Sequence, residues 1–548
     1  MKRIKFIKIT LLVSLIFFAS FGLASCGKDK TLVLRVYNWG DYIDDGISDD
    51  DTERTSSVIE DFEAYYFKET GKKVKIEYST FDTPETMYNK VKSGSAKYDL
   101  LCPSDYMIQK MIREDMLEKF STNAFDDEGN IKEDGTLSNY AKYGSPFFKK
   151  LFKERGWDKY SIGYMWGTLG IVYNEEKISQ IEGLDLTSWN VMWDSKLKGN
   201  VSTKDSVRDT YFIGVVNEYQ DELKALRDKY ETGEISKLAY QKELNEIVNR
   251  HDKKTISKVE KRLETLKKNV RGFEVDSAKS DIVTGQIYMN LAWSGDAVYS
   301  MQLAEEEGIG LSYQIPLEGS NIWFDGWVMP KGANVELSEA FLNFLCIPSI
   351  AARNMNKIGY TSAIGGEDIK TIIDEWYGIN SFEIEALDDN DYIIFDGQDT
   401  SVKKDAIESL DDAEITINGE YIYIDTENTG LKWCDFMEVV DLSYFFCEDT
   451  STDKAEFYIN KTYIGNQFTA QYPTEEEVNR CGIMEDFGDA TEDVIKMWLS
   501  VKGNEINWIW ISVIIAIIGI FVAITIYKKA SDKARYRRLK LKKLQNKQ

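Results

Sequence analysis

Leu32-Val33-Leu34-Arg35-Val36-Tyr37, Val74-Lys75-Ile76-Glu77-Tyr78 and Tyr98-Asp99-Leu100-Leu101-Cys102 are three short apolar runs, the second alternating with polar residues. Each reads as a β-strand. Between the first two, Val58 to Lys68 carries apolar residues at Val58, Ile59, Phe62, Tyr65 and Tyr66, a helical spacing. Glu85 to Val91 reads as a second helix and Met107 to Leu117 as a third. Strands alternating with helices predict an α/β architecture with largely parallel sheets.

The same rhythm continues outward from this stretch. Tyr160 to Tyr173 reads as strands, with Gly163, Gly167 and Gly170 as breaks. Ser188 to Asp194 reads as a helix. Asn200-Val201-Ser202 opens a strand and Ser206 to Tyr219 a helix. Gln286 to Trp293 is a strand, Gly295 to Glu306 a helix and Tyr313 to Pro316 a strand. Two segments stand apart. Residues 221–270 are dense in Lys and Glu, and their apolar positions predict a pair of amphipathic helices broken near Thr232-Gly233 or Asp252. Residues 380–470 are acidic and β-rich. They include Ile415 to Tyr423, a hairpin turning at Asn418-Gly419, and Asp388-Asp389-Asn390-Asp391, which lacks the Gly and Glu positions of an EF-hand loop.

The 548 residues carry a formal net charge of −25. The charge is uneven: residues 1–25 carry +4 and residues 528–548 carry +9, which leaves −38 for residues 26–527. A body so acidic attracts cations and excludes nucleic acid as a partner. The N-terminus has the form of a secretion signal, with Lys2, Arg3, Lys5 and Lys8 before the apolar Ile9 to Phe21. Leu23-Ala24-Ser25-Cys26 follows directly and resembles a bacterial lipobox, so Cys26 is the expected lipidation site. Ile506 to Tyr527 is uncharged, apolar and long enough to cross a bilayer. The basic tail after it places that end in the cytoplasm and residues 26–505 outside.

Catalytic chemistry has little to work with. His251 is the only histidine, which excludes a multi-histidine metal centre and leaves no His-dependent hydrolase. There is no P-loop and no G-x-S-x-G. With Cys26 lipidated, Cys102, Cys346, Cys434, Cys447 and Cys481 remain, an odd number without a C-x-x-C pair. Cys434 and Cys447 could form a bridge; Cys102 and Cys346 lie in apolar runs, as buried thiols do. No cofactor, metal site or enzyme activity is expected.

What the chain does have is tryptophan beside acid in loops after strands: Tyr37-Asn38-Trp39-Gly40-Asp41-Tyr42, Trp293-Ser294-Gly295-Asp296 and Trp323-Phe324-Asp325. Doubly wound sheets bind ligands at the carboxyl ends of their strands. Aromatic faces attract ammonium groups and pack on methylene chains, and carboxylates accept ammonium hydrogen bonds. The pattern suits an organic cation.

With these blocks, and with Pro84 to Tyr88, Tyr98 to Tyr106, Tyr160 to Gly167, Asp205-Ser206-Val207-Arg208-Asp209 and Ile358 to Thr361 in the same order, the sequence resembles the spermidine/putrescine-binding proteins of bacterial polyamine ABC importers. The likeness covers about residues 31–220, 256–365 and 470–502. It implies a two-lobed, type II periplasmic-binding-protein fold with ligand in the cleft. It implies ligand contacts at Trp39, Gly40, Asp41, Tyr42, Ser104, Tyr106, Asp209, Trp293, Trp323, Asp325 and Tyr360, with Asp325 gripping a primary amine. Ser206 stands where that family has Asp, so Asp205 becomes the candidate substitute there. A Gln contact of the family falls at about Met484. The domains expected are a lipoprotein signal peptide (1–25), lobe 1 (26–155 plus 325–365), lobe 2 (156–324 plus 366–505, with insertions at about 221–255 and 380–470), a transmembrane helix (506–527) and a basic cytoplasmic tail (528–548). The expected function is a membrane-anchored extracellular lipoprotein that binds polyamine for an ABC permease. The alternatives are a binding protein or sensor for another small organic cation, and a surface enzyme or adhesin using residues 380–470.

Overall fold

A computed structural model describes residues 31–47, 54–378, 384–387, 392–395, 398–403 and 437–503. The opening stretch folds as its pattern requires. Strand β1 (Leu32–Trp39) pairs in parallel with β2 (Val74–Phe81), and helix α1 (Val58–Thr70) connects them. A capping box of Ser57 and Glu60 starts α1, and Gly71 ends it in the left-handed conformation. Val58, Phe62 and Tyr66, spaced four apart, form its buried stripe. β3 (Leu100–Leu101) joins β1 on its other side and leads into α2 (Asp105–Arg113).

The centre of the molecule is one long strand, β4 (Ser161–Asn174). Gly163, Gly167 and Gly170 do not break it. Each instead lets a neighbour cross where a Cβ would collide: Ala363 at Gly163, Trp323 at Gly167 and Tyr313 at Gly170. The glycines serve side-chain packing across the strand and mark no turn.

Further on come β5 (Val201–Lys204), α3 (Val207–Glu218), α4 (Gln220–Glu231), α5 (Lys237–Val248), α6 (Lys253–Asn269), β6 (Gly272–Glu274), β7 (Met289–Trp293), α7 (Ser294–Glu306), β8 (Leu311–Gln314) and the long β9 (Ser320–Pro330). Two half-sheets result, with the same strand order. In the first, β2-β1-β3 is parallel and continues through antiparallel β9 to β4. In the second, β6-β5-β7 is parallel and continues through antiparallel β4 to β8. β4 serves both: Ser161 to Thr168 pairs with β9, and Leu169 to Asn174 pairs with β7 and β8. The protein is therefore two-lobed, with long strands passing from lobe to lobe.

Two core clusters lie one in each lobe, and a third, with Leu101, Phe324, Ala292 and Tyr313, runs through both. One cluster joins Leu34, Val36, Phe62, Leu100, Trp327 and Phe341 of the first lobe. Another joins Ile171, Trp189, Phe212, Val259, Leu263 and Leu291 of the second. Residues 221–270 form three helices where a pair was expected, because the chain breaks at both candidate points. Ser236 caps α5 and Asp252 caps α6. Their apolar faces, with Leu244, Val259 and Leu263 fully buried, complete the core of the second lobe. Each such side chain contributes about 1.5–3 kcal/mol of burial. Ser188 to Asp194 holds only a short 3₁₀ turn, Trp189–Trp193.

Residues 366–505 were expected in the second lobe, but helix α8 (Glu367–Tyr377) packs into the core of the first through Ile369, Ile373 and Tyr377, as do Phe457, Phe468 and Tyr472, because their apolar side chains meet that core. In the acidic segment, Ile384–Leu387, Tyr392–Phe395 and Gln398–Lys403 form a three-stranded antiparallel sheet. The 415–423 hairpin, Asp388 to Asp391, Cys26 and Cys434 lie outside the described residues. Cys102 and Cys346 are buried thiols. Among the described residues no single helix is long and apolar enough to cross a membrane; Ile506 to Tyr527 lies outside them.

Candidate functional site

Asp325 sits in β9 at a register shift between Asp325 and Gly326, where the strand passes between β4 and the turn before α2. The N–H of Gly326 bonds to the Pro103 carbonyl, and Ser104 pairs with Asp325 as an isolated bridge. This irregularity turns the carboxylate inward, leaving Asp325 only 5% exposed. The Tyr42 hydroxyl donates to its Oδ2 at 2.8 Å. Its Oδ1 is buried and accepts no hydrogen bond of standard geometry from a described residue. Burial pushes the Asp325 carboxyl up to about 6, against the pull of the Ser104 and Tyr42 hydroxyls.

Rings surround this acid. Tyr42 meets Tyr164 edge-on, with centroids 5.6 Å apart, and Tyr360 at 6.1 Å. Trp323 meets Tyr360 at 5.3 Å. Gly295 is placed so that a Cβ there would enter the Tyr360 ring. The indole N–H groups of Trp39 and Trp323 are buried and donate to no described residue.

A second aromatic–acid corner lies at the carboxyl ends of β5 and β7. Trp293 ends β7, and its indole N–H donates to Asp209 Oδ2 at 3.2 Å. Asp209 stands in the first turn of α3, capped by Ser206, and is 7% exposed. Burial raises its carboxyl above the usual range. Behind the same ring is a cation that sequence reading passed over. Lys204, the last residue of β5, has a side chain with no exposure. Its Nζ lies 4.6 Å from the Trp293 ring centroid. It donates to Asp296 Oδ2 at 2.9 Å and to the Val275 carbonyl at 2.8 Å, and pairs with Glu274 at 3.4 Å.

The lobes touch through these corners. The Tyr360 hydroxyl donates to Asp296 Oδ1 at 3.1 Å. Arg208 of α3 stacks on Tyr106 of α2, its guanidinium 3.8 Å from the ring centroid, and donates to the Glu485 carbonyl. Next to Tyr106 is Asp105, which burial pushes up to about 7 against the pull of Arg208.

The structure thus brings together Tyr42, Trp323, Asp325 and Tyr360, with Ser104 against Asp325. On the other lobe it brings together Asp209, Ser206 and Trp293. Tyr106 joins through Arg208 and bonds Glu85 at 2.9 Å. Trp39 ends β1 with its ring 4.9 Å from that of Phe81, and Gly40 and Asp41 are exposed beside it. Asp205 is exposed, and its carboxylate bonds Lys502 at 2.7 Å, directed to the C-terminal helix. Met484 is core packing of the second lobe. Lys204, Arg208, Asp105 and Asp296 were missed as site residues, although each stands inside or next to a block quoted for the resemblance.

The chain is similar to the spermidine/putrescine-binding periplasmic protein of Escherichia coli K12, 27% identical over 343 residues, 62% of this chain and 80% of that protein. It is 28% identical to the putrescine-binding periplasmic protein SpuD of Pseudomonas aeruginosa over 341 residues, 60% of this chain and 77% of that one. The crystal structure of the TpPotD lipoprotein of Treponema pallidum superposes with a TM-score of 0.51 at 17% identity, covering 86% of this chain and 99% of that one, and shares the fold. The family model for bacterial extracellular solute-binding proteins matches residues 57–367, more than half of the chain, and the protein belongs to this family of binding proteins rather than to an enzyme family.

Proposed function

We propose that the protein captures a polyamine of the spermidine/putrescine class between its lobes and presents it to an ABC permease, with no chemical step. The observation that carries this reading is Asp325, a buried carboxylate with an unfilled oxygen, beside Trp323 and under Tyr42. An ionised carboxylate is costly to bury without a partner, and a ligand ammonium supplies one. Asp209 takes a second ammonium from the other lobe. Trp39, Tyr42, Trp293, Trp323 and Tyr360 wall the methylene chain, and Ser104 and Tyr106 line the same opening. A dication held by acids of both lobes favours their closure, because those contacts are complete only when the lobes meet. The relatives named for spermidine and putrescine support the ligand class.

In this reading the fold is the type II periplasmic-binding-protein fold, with lobes dividing near residues 155 and 325. Cys26 carries lipid, Ile506 to Tyr527 crosses the membrane and the basic tail is cytoplasmic. Two anchors hold the protein beside its permease and raise the effective concentration there. Removing residues 503–548 is expected to lower uptake in cells while ligand affinity stays unchanged; unchanged uptake would contradict the second anchor.

Calorimetric titration of the full chain in detergent tests the ligand. Putrescine or spermidine binds the wild type, and amino acids and sugars do not. Absence of heat with every polyamine, from folded protein, would overturn the reading.

A further inference from the structure

The ammonium of Lys204 has the surroundings that a ligand ammonium would require. Its N–H groups donate to Asp296 Oδ2 at 2.9 Å and to the Val275 carbonyl at 2.8 Å, and Glu274 adds an ion pair at 3.4 Å. The Trp293 ring closes a further side at 4.6 Å. Aromatic face, carboxylate pair and carbonyl together make an ammonium site, and it is filled from within the chain. The other internal cation of the region, Arg208, lies between Tyr106 and Phe487 with its guanidinium bonded to the Glu485 carbonyl.

We propose, resting on the polyamine reading, that Lys204 is a specificity-determining residue that fills the second aromatic–acid corner and restricts the ligand to a diamine. Within the two aromatic–acid corners Asp296 and Glu274 pair with Lys204, which leaves Asp325 in the first and Asp209 in the second for a ligand. Neither forms a salt bridge with a described residue: the partner of Asp325 is a hydroxyl and that of Asp209 an indole N–H. Two ammonium groups match two acids. A third ammonium, reaching past Asp209, finds Asp296 and Glu274 already paired with Lys204 behind Trp293, and an ammonium buried without a counter-charge costs several kcal/mol. Residue 204 is next to Asp205, and its side chain enters the corner because β5 ends there, at the carboxyl edge of the parallel strands.

The test is calorimetric titration of the full chain with putrescine and with spermidine, for wild type, Lys204→Met and Lys204→Arg. Wild type is expected to bind putrescine at least about tenfold more tightly than spermidine. Lys204→Met, which frees Asp296 and Glu274, is expected to lose that preference or reverse it, and Lys204→Arg to keep it. Wild type binding spermidine as tightly as putrescine would overturn the proposal, and this arm does not depend on any variant folding. A folded Lys204→Met that keeps the wild-type ratio would overturn it too. Failure of wild type to bind either amine would instead contradict the polyamine reading on which it rests.

Discussion

The two aromatic–acid corners are built from the same parts, but the chain supplies a paired cation to only one of them. Trp323 stands with Asp325 in the first; in the second, Trp293 stands with Asp209 and has Lys204, bonded to Asp296, behind its ring. Asp296 is answered by Lys204 at 2.9 Å and by the Tyr360 hydroxyl at 3.1 Å. Asp325 has only hydroxyls against it, that of Tyr42 at 2.8 Å and that of Ser104, and no cation among the described residues. Burial raises the Asp325 carboxyl to about 6, against the pull of the Ser104 and Tyr42 hydroxyls. A motif of aromatic plus acid therefore does not by itself make a ligand site. What decides is whether the chain supplies the cation or leaves that to the ligand.

The sharpest way to break this comparison is to neutralise each acid in turn. Asp325→Asn is expected to weaken putrescine binding by roughly a hundredfold or more, since a buried charge pair loses about 2–5 kcal/mol when one partner is removed, while the melting temperature holds or rises. Asp296→Asn is expected to do the reverse. It leaves Lys204 short of a counter-charge in a buried site, destabilising the fold by about 3 kcal/mol, read by denaturant unfolding. Equal effects of the two substitutions on affinity would remove the distinction between the corners.

A smaller effect comes from pH. A carboxyl raised to about 6 is ionised above that value and takes up a proton as pH falls through it. Ligand ammonium needs the ionised form. Affinity should thus fall by up to about tenfold per unit below pH 6, and the fall should lessen in Asp325→Asn, which leaves Asp209 to titrate. An affinity constant from pH 7 to 5 would contradict the assigned carboxylate. The smallest effect is expected at Asp205, whose carboxylate bonds Lys502. Asp205→Asn should change affinity by less than about twofold, within the range of ordinary surface substitutions, and His251→Ala should change nothing measurable.

Much of the fold was legible because its signals are local. The alternation of Val74, Lys75, Ile76 and Glu77 and the spacing of Val58, Phe62 and Tyr66 each report one buried face. Gly163, Gly167 and Gly170 misled because their reason is not local. Each makes room for a side chain distant in sequence, and nothing in the neighbouring residues announces Tyr313 or Trp323. The site divides in the same way. Trp323, Asp325 and Asp209 stand out as candidates from their place after strands and from resemblance. Lys204 does not, since an ordinary lysine at a strand end reads as a solvated charge. Only the convergence of β5, β6 and α7 places Glu274, Val275 and Asp296 around it. Asp205 shows the converse: an acid in the same block turns outward to Lys502.

The most direct test is a crystal structure of the protein with putrescine. One ammonium is expected within hydrogen-bonding distance of Asp325 Oδ1, the chain between Trp323 and Trp293, and Lys204 still on Asp296. An ammonium displacing Lys204 from Asp296, with Asp325 left bare, would contradict the account.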